Sequence, residues 1–213
     1  MPVLTEEKKH GGVIAPPREP TGFGNGDGDD AAGGSFPVSK ARVAMWVVLT
    51  AVTMLFAGLT SAYIVLRGVP GWQHVPLPPL LWVNTLTLIA SSVTLEIARR
   101  SVLGNRQQAV KLWLGSSGVL GLGFLAGQVA AWRELVRAGV YLPSTLHSSF
   151  LYVLTGVHGV HLLGGVIGLT YVLWLAYQHR LTPVRHEPLR LCSLYWHFMD
   201  AVWIYIFVLL VLG

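Results

Sequence analysis

The sequence predicts an all-α fold, a polytopic membrane helix bundle with five transmembrane helices. Of 213 residues, 53% are hydrophobic and only 12% charged, against about 25% charged in an ordinary soluble domain. Mean hydropathy is +0.55, and the apolar residues gather into five runs. Each run reaches the ~20 residues that a hydrocarbon core of ~30 Å requires. Alternation of period two is absent, which argues against a β-barrel. The net charge of +5 and pI near 9.6 do not imply a nucleic-acid partner. The lysines and arginines lie in short clusters between apolar runs and form no basic face.

Residues 1–38 are rich in Gly, Pro and Asp, with GFGNGDGDDAAGG at their centre. Such a segment buries too little apolar surface to offset its ordering entropy, so a disordered cytoplasmic tail is expected. The opening MPVLTEEKKHGG has no apolar core and reads as no signal peptide. Asp27, Asp29 and Asp30 resemble a calcium loop only faintly, lacking its terminal Glu and flanking helices, and read as linker. The membrane domain is expected over residues 39–213. Its helices fall at about 43–66, 79–98, 112–132, 148–177 and 192–213, the fourth long enough to tilt or project. The single cysteine, Cys192, excludes an internal disulfide or thiolate cluster within the chain and reads as a small helix residue.

Five spans place the tail and the second and fourth connections on one side. That side holds Lys8, Lys9, Arg18, Lys40, Arg42, Arg99, Arg100, Arg106, Lys111, Arg180, Arg185 and Arg190. The other holds Arg67, Arg133 and Arg137. The positive-inside rule then puts the N-terminus in the cytoplasm and Gly213 on the outer, periplasmic side. Trp46, Trp82, Trp113, Trp132, Trp174 and Tyr177 fall near span ends, as interfacial aromatics do. Ser117 with Gly121, Gly123 with Gly127, and Gly164 with Gly168 have the four-residue spacing that lets helix backbones approach closely in lipid.

The polar residues inside these spans need partners or a wet cavity. Glu96, His158, His161, His197 and Asp200 are the ionisable ones, with Asn84 and Gln128 as neutral companions. A bis-imidazole haem needs one histidine from each of two helices at one depth. His147 and His161 share a helix, and only His197 faces them from another span. A two-histidine, one-carboxylate metal set from His158, His161 and Asp200 meets an offset in depth on the order of 10 Å, counted at ~1.5 Å per residue. The remaining reading is that these side chains tie helices together. Each imidazole offers one donor and one acceptor to a neighbouring carbonyl or hydroxyl, with Thr155 and Tyr152 near the same face. His197 and Asp200 are spaced to pair with each other, and Glu96 is within reach of Arg99 and Arg100.

The segments SSFLYVLTGVHGVHLLGGVIGL and YWHFMDAVWIYIFVLLVLG closely resemble the subunit III family of the haem–copper oxidases. Its members carry T-G-x-H-G-x-H on the penultimate helix and Y-W-H-F-x-D-x-V-W on the last. Those are Thr155, Gly156, His158, Gly159 and His161, then Tyr195, Trp196, His197, Phe198, Asp200, Val202 and Trp203. FAGLTSAYIVLR and VNTLTLIASSVTLE in the first two spans are also similar, so the resemblance covers about Lys40 to Gly213. It is to the five-helix bacterial form, which lacks the first two helices of seven-helix members. Where many members have a buried Glu in S-E-V-x-F-F, this chain has Val52, and no proton role carries over there. Arg190 stands where some members have a Glu ahead of Y-W-H-F.

The resemblance implies a non-catalytic subunit of a proton-pumping terminal oxidase that reduces O2 to water with electrons from cytochrome c. It implies no redox cofactor in this chain, with haem and copper in partner subunits. The expected partners are subunit I as the main contact, subunit II and a small subunit IV, with bound phospholipid, in a bacterial inner membrane and within reach of a respiratory supercomplex. Glu96, Thr155, His158, His161, Trp196, His197 and Asp200 are then structural, lipid or proton-network residues. A quinol oxidase subunit or a relative accompanying nitric oxide reductase is the alternative. A small membrane transporter is a third reading, but the two halves of the chain show no repeat to support it.

Overall fold

A computed structural model describes residues 39–68, 77–142 and 146–212. The expected tail, with Asp27, Asp29 and Asp30, lies outside the described residues, as does Gly213. Among the described residues there are five helices and no strand. They are α1 (Lys40–Leu66), α2 (Leu80–Leu103), α3 (Gln107–Arg137), α4 (Leu146–Tyr177) and α5 (Glu187–Leu212). All five are long and apolar enough to cross a membrane. At ~1.5 Å per residue the shortest, 24 residues, is about 36 Å and the longest, 32 residues, about 48 Å.

The helices outrun the apolar runs, most at α3, which continues through Gln107–Lys111 and Arg133–Arg137. Apolar content marks what sits in hydrocarbon, but straight-chain polar residues such as Gln, Lys and Arg also favour helix. The stops are set by backbone geometry. Asn105 (φ 54°), Gly139 (φ 81°) and His179 (φ 56°) take left-handed conformations just past α2, α3 and α4. At each, paired bonds close the last turn, as with Arg106 N–H to Ser101 O (3.0 Å) and Asn105 N–H to Val102 O (3.0 Å). This is the Schellman arrangement, which satisfies the last carbonyls of the helix.

α2, α3, α4 and α5 pack as a closed ring, each against the next and α5 back onto α2, while α1 lies outside against α4 and α5. The core runs through the ring, with Leu88, Leu95, Leu114, Phe124, Leu154, Leu162, Trp196 and Trp203 all fully buried. At one end the Gln107 amide donates to Leu181 O (2.8 Å), tying the α2/α3 turn to the α4/α5 connection. Arg42 reaches Glu187 with two bonds, Nη2 to Oε2 at 3.0 Å, which holds the start of α1 to the start of α5. Arg42, Arg99, Arg106, Lys111 and Arg190 therefore share one end of the bundle.

Two details differ from the sequence reading. Trp132 turns inward, half-buried, and donates from Nε1 to Thr155 Oγ1 (3.1 Å), while Trp46, Trp82, Trp174 and Tyr177 are exposed as expected. Of the small-residue positions, Ser117, Gly121 and Gly127 make close contacts, but Gly123 faces open space. Spacing alone could not separate them, because Gly123 and Gly127 lie 40° apart about a helix axis of 3.6 residues per turn.

Candidate functional site

The polar side chains resolve into three places. The first is the seam between α2 and α3. Ser91 Oγ donates to Ser117 O (3.0 Å) and Ser117 Oγ to Ser91 O (3.1 Å), a reciprocal pair with both residues fully buried. One end of the seam is set by Asn84, whose Nδ2 donates to Phe124 O at 3.4 Å. A β-carbon at Gly127 would overlap the Asn84 amide. Glycine at 127 leaves the room in which the Asn84 amide sits, and a larger residue would have to displace that amide.

The second place surrounds His158 on α4. Its imidazole is fully buried and packs among Trp203 (ring centroids 5.0 Å), Phe124 (5.9 Å) and Phe56 (6.4 Å). Among the described residues neither of its ring nitrogens has a hydrogen-bond partner. The expected tie to a neighbouring helix is absent because the surrounding positions on α1, α3 and α5 are rings. Trp203 points its own Nε1–H away, to Thr85 Oγ1 (3.0 Å). His161, one turn further along α4, bonds through Nδ1 to Val157 O of its own helix (2.8 Å) and lies edge-on to Phe56 at 5.8 Å. Its backbone carbonyl, rather than its ring, reaches another helix by accepting from Tyr195 O–H (2.9 Å). Thr155 donates to Leu151 O (2.6 Å) and accepts from Trp132. Trp196 is wedged against Gly121 and Gly165, where a β-carbon would come within 2.6 Å and 3.3 Å of its ring.

The third place lies between α2 and α5. Glu96 receives Arg99 Nε (2.7 Å) and Nη2 (2.8 Å) and Arg100 Nε (3.0 Å). One turn inward, His197 Nδ1 pairs with Ser92 Oγ at 2.5 Å. Asp200 does not pair with His197. It is 6% exposed, and neither carboxylate oxygen has a hydrogen bond among the described residues. Ser92, engaged by His197, stands beside the carboxylate without the geometry of a bond.

The fold therefore unites Glu96, His197 and Asp200 around one groove and puts His158 in the aromatic interior with His161 beside it. The three-ligand set of His158, His161 and Asp200 is not assembled. Among the described residues no three His, Cys, Asp or Glu side chains gather to hold a metal ion. The sequence reading missed Ser92, Phe56, Phe124 and the Arg42–Glu187 clamp. A small hydroxyl one turn before Glu96 was the available signal for Ser92. Glu187 lay outside the expected span, so its pairing had none.

A profile of the cytochrome c oxidase subunit III family matches residues 41–212. Cytochrome c oxidase subunit 3 of Synechocystis is 34% identical over 170 residues, which cover 77% of this chain and 72% of that protein. Probable cytochrome c oxidase subunit 3 of Mycobacterium tuberculosis is 34% identical over 171 residues, covering 76% and 82%. Cytochrome bo(3) ubiquinol oxidase subunit 3 of Pseudomonas putida is 30% identical over 166 residues, covering 76% and 80%. With five membrane-length helices, T-G-x-H-G-x-H on the fourth and Y-W-H-F-x-D-x-V-W on the fifth, this chain belongs to the cytochrome c oxidase subunit III family of the haem–copper oxidases.

Proposed function

We propose that this chain is the non-catalytic third subunit of a proton-pumping terminal oxidase in a bacterial plasma membrane, where it stabilises subunit I and sustains proton uptake. Haem and copper lie in subunits I and II, with cytochrome c as the electron donor. The family match over residues 41–212 carries the assignment. The internal geometry supports the non-catalytic part: Ser91, Ser117 and Thr155 bond between or within helices, and His158 packs among rings. The basic end of the bundle faces the cytoplasm, as the distribution of arginines and lysines favours.

Phospholipid is held at that basic end. Arg42, Arg99 and Arg190, from three helices, line a cavity of about 390 Å³ together with Trp46. Arg42 and Arg99 have carboxylate partners, whereas Arg190 makes no ion pair among the described residues. Guanidinium groups match a phosphate bidentately, and the exposed Trp46 suits the headgroup level. A quinol-oxidizing complex is the second reading, favoured by the relative from Pseudomonas putida.

Purification of the tagged chain in mild detergent tests the assignment. The expected result is co-purification with a haem-bearing subunit, whose complex oxidizes reduced cytochrome c. The chain stripped of partners is expected to show no visible absorption. A stoichiometric Soret band from the chain alone would overturn the non-catalytic reading. Oxidation of quinol but not of cytochrome c would select the second donor.

A further inference from the structure

The groove between α2 and α5, about 420 Å³, is lined by Ser92, Glu96 and Arg100 on one wall and by His197, Asp200 and Ile204 on the other. It begins at the ion-paired end of α2 and runs toward the middle of the bundle. Asp200 lies thirteen residues after Glu187 and twelve before Leu212, which is about 20 Å and 18 Å along the helix. Ser92 is similarly central, twelve residues after Leu80 and eleven before Leu103. Ser92 and Asp200 therefore sit near mid-membrane depth, with His197 about one turn from Asp200 toward the ion-paired end, in a groove that opens to the outside of the bundle.

That depth selects the occupant. Polar side chains facing hydrocarbon are costly and normally meet protein or water. Phospholipid headgroups stay at the membrane surface, and acyl chains offer no hydrogen bonds. Glu96 is satisfied by two arginines, while Asp200 has no bonded donor. Ser92 holds His197 by Nδ1, and no group in the described chain bonds Nε2. The carboxylate oxygens are shielded at the groove floor, so an incoming group meets His197 first.

We propose that the α2/α5 groove is the docking surface for a transmembrane helix of the haem-bearing partner subunit, a helix that brings a hydrogen-bonding side chain to His197 near mid-membrane, over the buried Asp200. This rests on the oxidase assignment and names the face by which the chain joins the complex. The flanking residues suit helix packing: Ile89 and Val93 on α2 and Ile204 on α5 are exposed apolar side chains beside the polar line. A partner helix thus buries apolar flanks around a central hydrogen bond, the mode by which helices associate within membranes.

Photocrosslinking in the intact complex tests this. Benzoylphenylalanine replaces Ile89 or Ile204 in separate full-length chains, with Val119 on α3 and Ile167 on α4, both exposed, as controls. The expected result is an adduct to the haem-bearing subunit from Ile89 and Ile204 only, mapping to a span with a hydrogen-bonding side chain near its centre. In parallel, H197L is expected to reduce haem recovered per folded chain by about three- to twenty-fold, the average to the upper end for hydrogen bonds between membrane helices. Adducts to lipid or to a second copy of the chain from both groove positions would overturn the proposal. So would crosslinking to the haem-bearing subunit from Val119 or Ile167 alone, which leaves the oxidase assignment standing. Absence of any haem-bearing partner from the unmodified chain would overturn both.

Discussion

The α2/α3 seam and the aromatic interior around His158 bury polar residues to the same extent and use them in opposite ways. In the seam, Ser91 and Ser117 exchange bonds with each other's carbonyls, and Asn84 reaches a third carbonyl across a glycine. Around His158, a larger polar group goes unbonded and is enclosed by Phe56, Phe124 and Trp203. Small hydroxyls allow the backbones to close in until hydrogen bonds form, and those bonds fix the register of α2 on α3. A ring keeps the backbones apart and contributes shape, with edge-to-face contacts worth about 0.5–1.5 kcal/mol each. Burial of a polar residue in this bundle is therefore not in itself a sign of a polar function.

Breaking the close approach should produce the largest effect. G121A would place a β-carbon 2.6 Å from the fully buried Trp196 ring. Overpacking of this kind costs about 1–3 kcal/mol, read as a lowered thermal midpoint of the complex in nanodiscs. G123A, where nothing lies within 4 Å, should be neutral or gain up to about 1 kcal/mol from helix propensity. Equal losses at both positions would show that flexibility, not contact with Trp196, sets the requirement for glycine.

That pair also shows where the sequence was legible. Five membrane helices followed from apolar runs and their lengths, because bilayer thickness fixes both. The Glu96–Arg99–Arg100 cluster followed from helical spacing, since residues three and four apart share a face. Contacts between distant segments did not follow. Ser92 meets His197 across 105 positions of the chain and Arg42 meets Glu187 across 145, and helix rotation about the axis decides such meetings. The same rotation turned Trp132 inward to Thr155 and left Gly123 facing outward. The motif residues His158 and His161 stood out because imidazoles are conspicuous among apolar neighbours, yet the rings that define their surroundings looked like ordinary hydrophobic residues.

A double-mutant cycle sharpens the seam. S91A and S117A each remove one direction of the reciprocal pair and also the 3.0 Å contact between the two hydroxyls, and the coupling through that contact should lie between about 0.6 and 1.7 kcal/mol, the average and upper end for bonds between membrane helices. The readout is unfolding in mixed micelles of the single and double variants. Additive effects would show that the contact between the hydroxyls contributes nothing and that each serine acts only through the opposite carbonyl.

The smallest effect is expected at the most conspicuous residue. H158L gives up ring contacts with Trp203 and Phe124, about 0.5–1.5 kcal/mol apiece. It also removes a buried imidazole whose nitrogens are both unbonded, and an unsatisfied buried polar group costs about 1–3 kcal/mol. The two terms oppose each other at similar size, so the midpoint in nanodiscs should change little, in contrast to G121A. The same variant should retain the haem content of the assembled complex, because His158 lies in the interior and not in the α2/α5 groove. A destabilisation above about 2 kcal/mol would mean that the imidazole is bonded after all, through an enclosed water. The contrast between seam and aromatic interior would then reduce to one principle, hydrogen bonding, applied at two distances.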